Sequence, residues 1–125
     1  MTTPETFLVH IRGIARACYE ANRLYCSAVG EYVPRSWEKT SDKVRDAATS
    51  VVRHHIKAGH PSFEAQHISL CQRMISDGYV YGPEWDEEKK TDPKLVPYSE
   101  LPLHFRIKNE IFCAIVDAMG EPRGE

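Results

Sequence analysis

What this chain lacks excludes several functions before any motif is sought. No apolar run approaches the ~18 residues that would span a bilayer, so no membrane partner is expected. The opening Met1-Thr2-Thr3-Pro4-Glu5 has neither the basic region nor the apolar stretch of a secretory signal, and a cytoplasmic location is expected. An excess of positive charge is missing too. With 16 Lys and Arg against 18 Asp and Glu the net charge is -2, and the pI is near 6.3. That leaves no field for counterion-release binding, so duplex nucleic acid is not expected as a partner.

Paired metal-ligand spacings are also absent. Cys18, Cys26, Cys71 and Cys113 are scattered over three expected helices, with no C-x-x-C and no H-x-x-x-H. His54 and His55 are adjacent, which on a helix turns their side chains about 100° apart. No metal and no cofactor are expected, and in a reducing compartment the cysteines read as small buried hydrophobes. G-x-S-x-G, a phosphate loop and H-E-x-x-H are missing as well, so no catalytic residue is expected. Cys71 shares a helix face with His67, four residues earlier. It reads as an inert thiol.

What is present is strong helical patterning. With 125 residues, 42% of them hydrophobic and 27% charged, the composition is that of one ordinary globular domain. Thr3, Pro4 and Glu5 supply an N-cap, a first-turn proline and a first-turn acid. Phe7, Ile11, Ile14, Cys18, Asn22 and Tyr25 then recur at helical steps, until Gly30 closes the helix. Residues 31–39 read as a connector whose Trp37 packs back on the body. Ser41 caps a second helix with Val44, Val51, Val52, His55 and Ile56 on one face, broken at Gly59-His60-Pro61. Ser62 caps a third, with Phe63, His67, Leu70, Cys71 and Met74 inward and Gly78 ending it. A fourth starts near Pro102 and runs to Gly120; Pro122 stops continuation, and residues 121–125 are expected to fray. The expected fold is all-α, a compact bundle of about four helices with a long ordered aromatic and proline-rich loop between the last two.

That loop, Tyr79 to Leu101, exceeds the ~12–15 residues common for a plain connection. Tyr79, Val80 and Tyr81 suggest a short extended piece, Gly82-Pro83 a turn, and Asp86 to Lys90 a helical turn. Asp92-Pro93 and Val96-Pro97 favour extended backbone before each proline. The acidic run Glu84, Asp86, Glu87 and Glu88 reads as a solvated loop.

His67, Gly78, Tyr79, Tyr81, Gly82, Asp86, Lys89, Lys90, Pro93, Pro97, Tyr98 and Leu101 together resemble the core motif of the ryanodine-receptor repeat. This small helical module occurs as tandem copies in the calcium-release channel and as free-standing proteins in bacteria and phages. The stretch A-C-Y-E-A-N-R-L-Y-C from Ala17 to Cys26, with Trp37 and V-V-R-H-H-I from Val51, resembles the N-terminal extension of the small phage-type members. The resemblance implies a single domain over 1–125, with an extension at 1–58 and a repeat core at 59–120. It implies a binding module rather than an enzyme. Tyr79 and Leu70 replace tryptophans of the family pattern and Asp92 replaces a histidine, which implies a differently lined pocket.

Asn22, His55 and His67 are the polar members of otherwise apolar stripes. They read either as satisfied core residues that fix helix register or as convergent groups of a pocket. On the pocket reading, His55, His67 and Asn22 hydrogen-bond a nucleotide or nucleotide-derived signal, Tyr79 and Tyr98 stack on its base, and Arg73 and Lys90 hold phosphate. A phage-encoded member would then sequester a host signal in the host cytoplasm. The alternative is a protein-interaction module or homo-oligomer that docks through its aromatic loop.

Overall fold

The computed structural model describes residues 3–120. Four α-helices dominate it, α1 (Pro4–Val29), α2 (Asp42–Lys57), α3 (Phe63–Ser76) and α4 (Leu103–Met119). The fold is all-α, as the periodicity predicts. No helix among the described residues is long and apolar enough to cross a membrane. The expected stop at Pro122 and the tail at 121–125 lie outside the described residues.

Helix starts follow their capping residues. The hydroxyls of Thr3, Ser41 and Ser62 accept hydrogen bonds from the backbone N–H groups of Thr6, Val44 and Ala65. Each meets one of the orphan donors of a first turn. At the other end of α1, Gly30 takes the left-handed conformation, with φ 79°, and returns its N–H to the carbonyls of Cys26 and Ser27.

The chain divides into two compact units, one running to His60 and resuming at Ile111, the other covering Pro61–Glu110. In the first unit α1 packs on α2, and Ile11, Ile14, Ala15, Trp37, Val52 and Val116 form its buried cluster. Trp37 belongs to the connector, and its neighbours hold it in place. Its N–H donates to Glu20 Oε2 at 2.8 Å, and its carbonyl accepts from Arg45 at 2.6 Å. Tyr19 meets the indole edge-on at 5.6 Å. The end of α4 is tied to α1 by His10 Nε2, which donates to the Met119 carbonyl at 3.1 Å.

In the second unit α3 contacts a 3-10 turn at Tyr98–Glu100. Two short parallel strands, β1 (Val80–Tyr81) and β2 (Thr91–Asp92), pair Val80 with Thr91 and Tyr81 with Asp92. Gly82 sits where the backbone comes close to Thr91. A Cβ there would lie 2.6 Å from Thr91 Cβ, so glycine is the residue the close approach admits. Residues 86–90 form a hydrogen-bonded turn rather than a helical one. Asp86 and Thr91 bond reciprocally through their backbones at 3.0 Å, and the Asp86 carboxylate accepts the N–H groups of Glu88 and Lys89.

Ile14 is fully buried at the centre of the first unit. Ile14→Ala is expected to lower the unfolding free energy by about 2–5 kcal/mol, measured by urea denaturation of the folded variant against the parent chain.

Candidate functional site

Within the first unit, His55 projects from the last turn of α2 and is 0% exposed. Phe112 packs edge-on against its ring at 5.4 Å. Its Nε2 donates to Asp117 Oδ1 at 2.9 Å. His60 Nδ1 donates to the same oxygen at 2.8 Å, and its ring stands edge-on to His55 at 5.6 Å. The helix end makes this possible. Gly59 and His60 both have positive φ, 86° and 58°, and the His60 N–H closes on the His55 carbonyl at 3.1 Å. Two left-handed residues in succession reverse the chain, so that a histidine five positions on returns to the side of His55. A non-glycine residue in this region is uncommon, though histidine is among the types that tolerate it.

Asp117 carries the charge of this cluster. Burial alone would push its carboxyl up, but the hydrogen bonds from His55 and His60 outweigh burial and hold it below the ordinary carboxylate range. The donor atoms of the three residues lie within 4.8 Å of one another. The spacing rules do not reveal this cluster, because it joins a helix, the residue beyond a left-handed reversal, and a position 57 residues later. The signals in the chain are His55 on an apolar stripe and the Gly59-His60 pair at a helix end.

The second unit contains the rest of the residues selected by sequence. His67, on α3, is buried, and its Nε2 bonds the Val96 carbonyl at 2.8 Å. A carbonyl can only accept, so Nε2 carries the proton. Cys71 Sγ lies 3.4 Å from that same nitrogen and finds no base there. Its thiol points to the Lys94 carbonyl at 3.7 Å, and burial, with the Asp92 charge adding to it, pushes its pKa up. A protonated thiol beside a donor nitrogen is not an activated nucleophile.

Tyr98 tilts against His67 at 5.7 Å and donates its hydroxyl to Glu110 at 3.1 Å. Lys90, with φ 56°, reaches over the Tyr79 ring at 5.6 Å and donates to the Asp77 carbonyl at 2.7 Å. Asp92 is 1% exposed. Lys94 neutralises it, with Nζ at 3.0 Å from one oxygen and the Lys94 backbone N–H at 2.8 Å from the other.

The second unit therefore brings together His67 with Tyr98, and Tyr79 with Lys90. Arg73 is half-buried in the last turn of α3. Asn22 and His55 belong to the first unit, Asn22 half-buried on α1 and His55 engaged by Asp117. The exposed large hydrophobic side chains of the loop lie outside that set. Tyr81 and Trp85 are 57% and 58% exposed, and Val80 beside them is open as well. Comparison with protein-family models, curated proteins and solved structures returns no match.

The fastening role of His67 is directly measurable. His67→Ala strips the Val96 carbonyl of its donor, and a loss of about 1–3 kcal/mol is expected, with hydrogen exchange rising first in residues 93–98. The Asp117 carboxylate predicts an acid limb in stability. Its depressed pKa contributes stability that is complete above the ordinary carboxylate range and is lost as pH falls through the lowered value. Unfolding curves of Asp117→Asn should therefore decline less between neutral pH and strong acid than those of the parent chain.

Proposed function

We propose that this protein is a cytoplasmic, non-catalytic binding module whose recognition element is the segment Tyr79–Leu101, and whose ligand is a small nucleotide or nucleotide-derived signal. The observation that carries the reading is the contrast within that segment. Its backbone is fixed by the 86–91 turn, the Asp92–Lys94 pair and the His67–Val96 bond, while Tyr81 and Trp85 are left mostly in water. Base stacking on such a ring is worth ~1–3 kcal/mol. The resemblance to the ryanodine-receptor repeat supports the same reading, and a phage-encoded copy would act by sequestering a host signal.

Charge narrows the ligand. Between Glu84 and Lys90 four carboxylates, Glu84, Asp86, Glu87 and Glu88, face two lysines, Lys89 and Lys90, a local net charge of -2. A field of that sign disfavours a nucleoside triphosphate. It opposes a ligand with two phosphate charges, such as a cyclic dinucleotide or an ADP-ribose derivative, less strongly. A second reading, a surface for a protein partner or another copy of the chain, is favoured by the exposure of Val80 next to Tyr81 and Trp85.

The two tryptophans make the test direct, because Trp37 is buried in the first unit and Trp85 is exposed. Titration with cyclic dinucleotides and ADP-ribose is expected to quench the solvent-exposed emission of Trp85. Calorimetric affinity should fall roughly tenfold or more in Trp85→Ala. Silence of both readouts across these ligands and the adenine nucleotides would sink the nucleotide reading. Light scattering that shows a concentration-dependent dimer, lost in Trp85→Ala, would assign the surface to self-association.

A further inference from the structure

We propose that His55, His60 and Asp117 form a binding site for one divalent first-row transition cation of the zinc class. Two imidazole nitrogens and a carboxylate oxygen are a borderline-soft donor set. Such a set suits Zn²⁺ and its neighbours in the row and is poorly matched to Mg²⁺ or Ca²⁺, which prefer shells of oxygen. All three residues belong to the same compact unit.

The donor geometry is close to what such an ion needs. Zinc binds nitrogen at ~2.0–2.1 Å and oxygen at ~2.0–2.2 Å in a tetrahedron, which sets neighbouring donors roughly 3.3 Å apart. Here the two nitrogen–oxygen separations are 2.9 and 2.8 Å. The donors must part by about half an ångström each. The side chains that give way are the outer two, since Asp117 is 44% exposed and His60 18%, whereas His55 is wholly enclosed. His55 is thus the fixed ligand, its ring held between Phe112 and His60. Asp117 opens to solvent, which leaves water to complete the coordination sphere and gives the ion its way in.

Proton bookkeeping closes without a further reactant. As the cluster is hydrogen-bonded, both nitrogens facing Asp117 Oδ1 carry hydrogens, because the oxygen is the acceptor for each. Ligation needs a lone pair on those same nitrogens, so in each neutral imidazole the proton moves to the distal nitrogen, and a protonated imidazole releases its extra proton to solvent. For His60 the distal Nε2 is buried and has no hydrogen-bond partner among the described residues, so it is unsatisfied there in either tautomer. The ion gains coordination without adding to that cost. A left-handed backbone at His60 together with an orphaned ring nitrogen marks a residue held in place against local preference, the pattern in which strain attends a site.

Chelator-stripped protein titrated with Zn²⁺ in a calorimeter is expected to bind one equivalent and to unfold at a higher temperature when loaded. Of the six histidines, NMR should show the imidazole signals of two, His55 and His60, shifting together, and this readout needs no variant. His60→Gly keeps the left-handed backbone, and Asp117→Asn keeps the shape of the side chain. Each should weaken Zn²⁺ binding by at least about 100-fold, whereas His54→Ala should leave it unchanged. Absence of Zn²⁺ binding by the parent chain would overturn the proposal. So would binding that persists in both site variants, or binding that vanishes in His54→Ala. No residue is shared with the loop, so failure here leaves the nucleotide titration to stand or fall by itself.

Discussion

A carboxylate withdrawn from water, wholly at Asp92 and in part at Asp117, has to be met by donors, and that obligation sets the polar geometry of this chain. Apolar cores are forgiving, since Ile11, Ile14, Val52 and Val116 form a cluster that other residues of similar volume would also fill. The carboxylates are not forgiving. Asp117 fixes where two imidazoles stand and which of their nitrogens carry protons. Asp92 fixes the conformation of residues 92–94 by accepting both the backbone and the side-chain nitrogen of Lys94. Removing Lys94 would leave the buried Asp92 charge without its match, which costs more than the net value of the pair.

The same accounting separates polar side chains that are already committed from those that remain available. His67 spends its ring proton on Val96, Tyr98 its hydroxyl on Glu110, and Lys90 a proton on Asp77. Those contacts hold the segment together, so a ligand that took them over would first have to break it. Tyr81 and Trp85 carry no comparable duty and are well exposed. Around the loop, then, His67, Tyr98 and Lys90 act as framework, and the aromatic side chains left well exposed are Tyr81 and Trp85.

Helices were legible because their signals are local. Thr3, Ser41 and Ser62 announce three starts and Gly30 one end, and each acts through a bond within a few residues of itself. The inward histidines were legible as anomalies, His55 and His67 being polar members of apolar stripes. Their partners were not. Val96 lies 29 residues from His67, and Asp117 lies 62 from His55. No periodicity carries such a pairing, because it is settled by how elements pack and not by what either element prefers. The turn at 86–90 illustrates the converse. Helix-compatible residues there form a bridge-closed turn because Asp86 prefers to bond the N–H groups of Glu88 and Lys89.

Order in the loop has a thermodynamic meaning for binding. Fixing a backbone residue costs about 1–2 kcal/mol, so a segment of more than twenty residues can be ordered only if bonds of its own offset that cost. Here they do so through the Asp86–Thr91 bridge, the short parallel pairing, the buried Asp92 and the Val96 carbonyl anchored by His67. On the proposed binding reading such order is an advantage, because the entropy of ordering is met during folding and is not charged again when a ligand arrives. Tyr81 and Trp85 are thereby presented in fixed positions, and any partner that stacks on them keeps most of its contact energy as affinity.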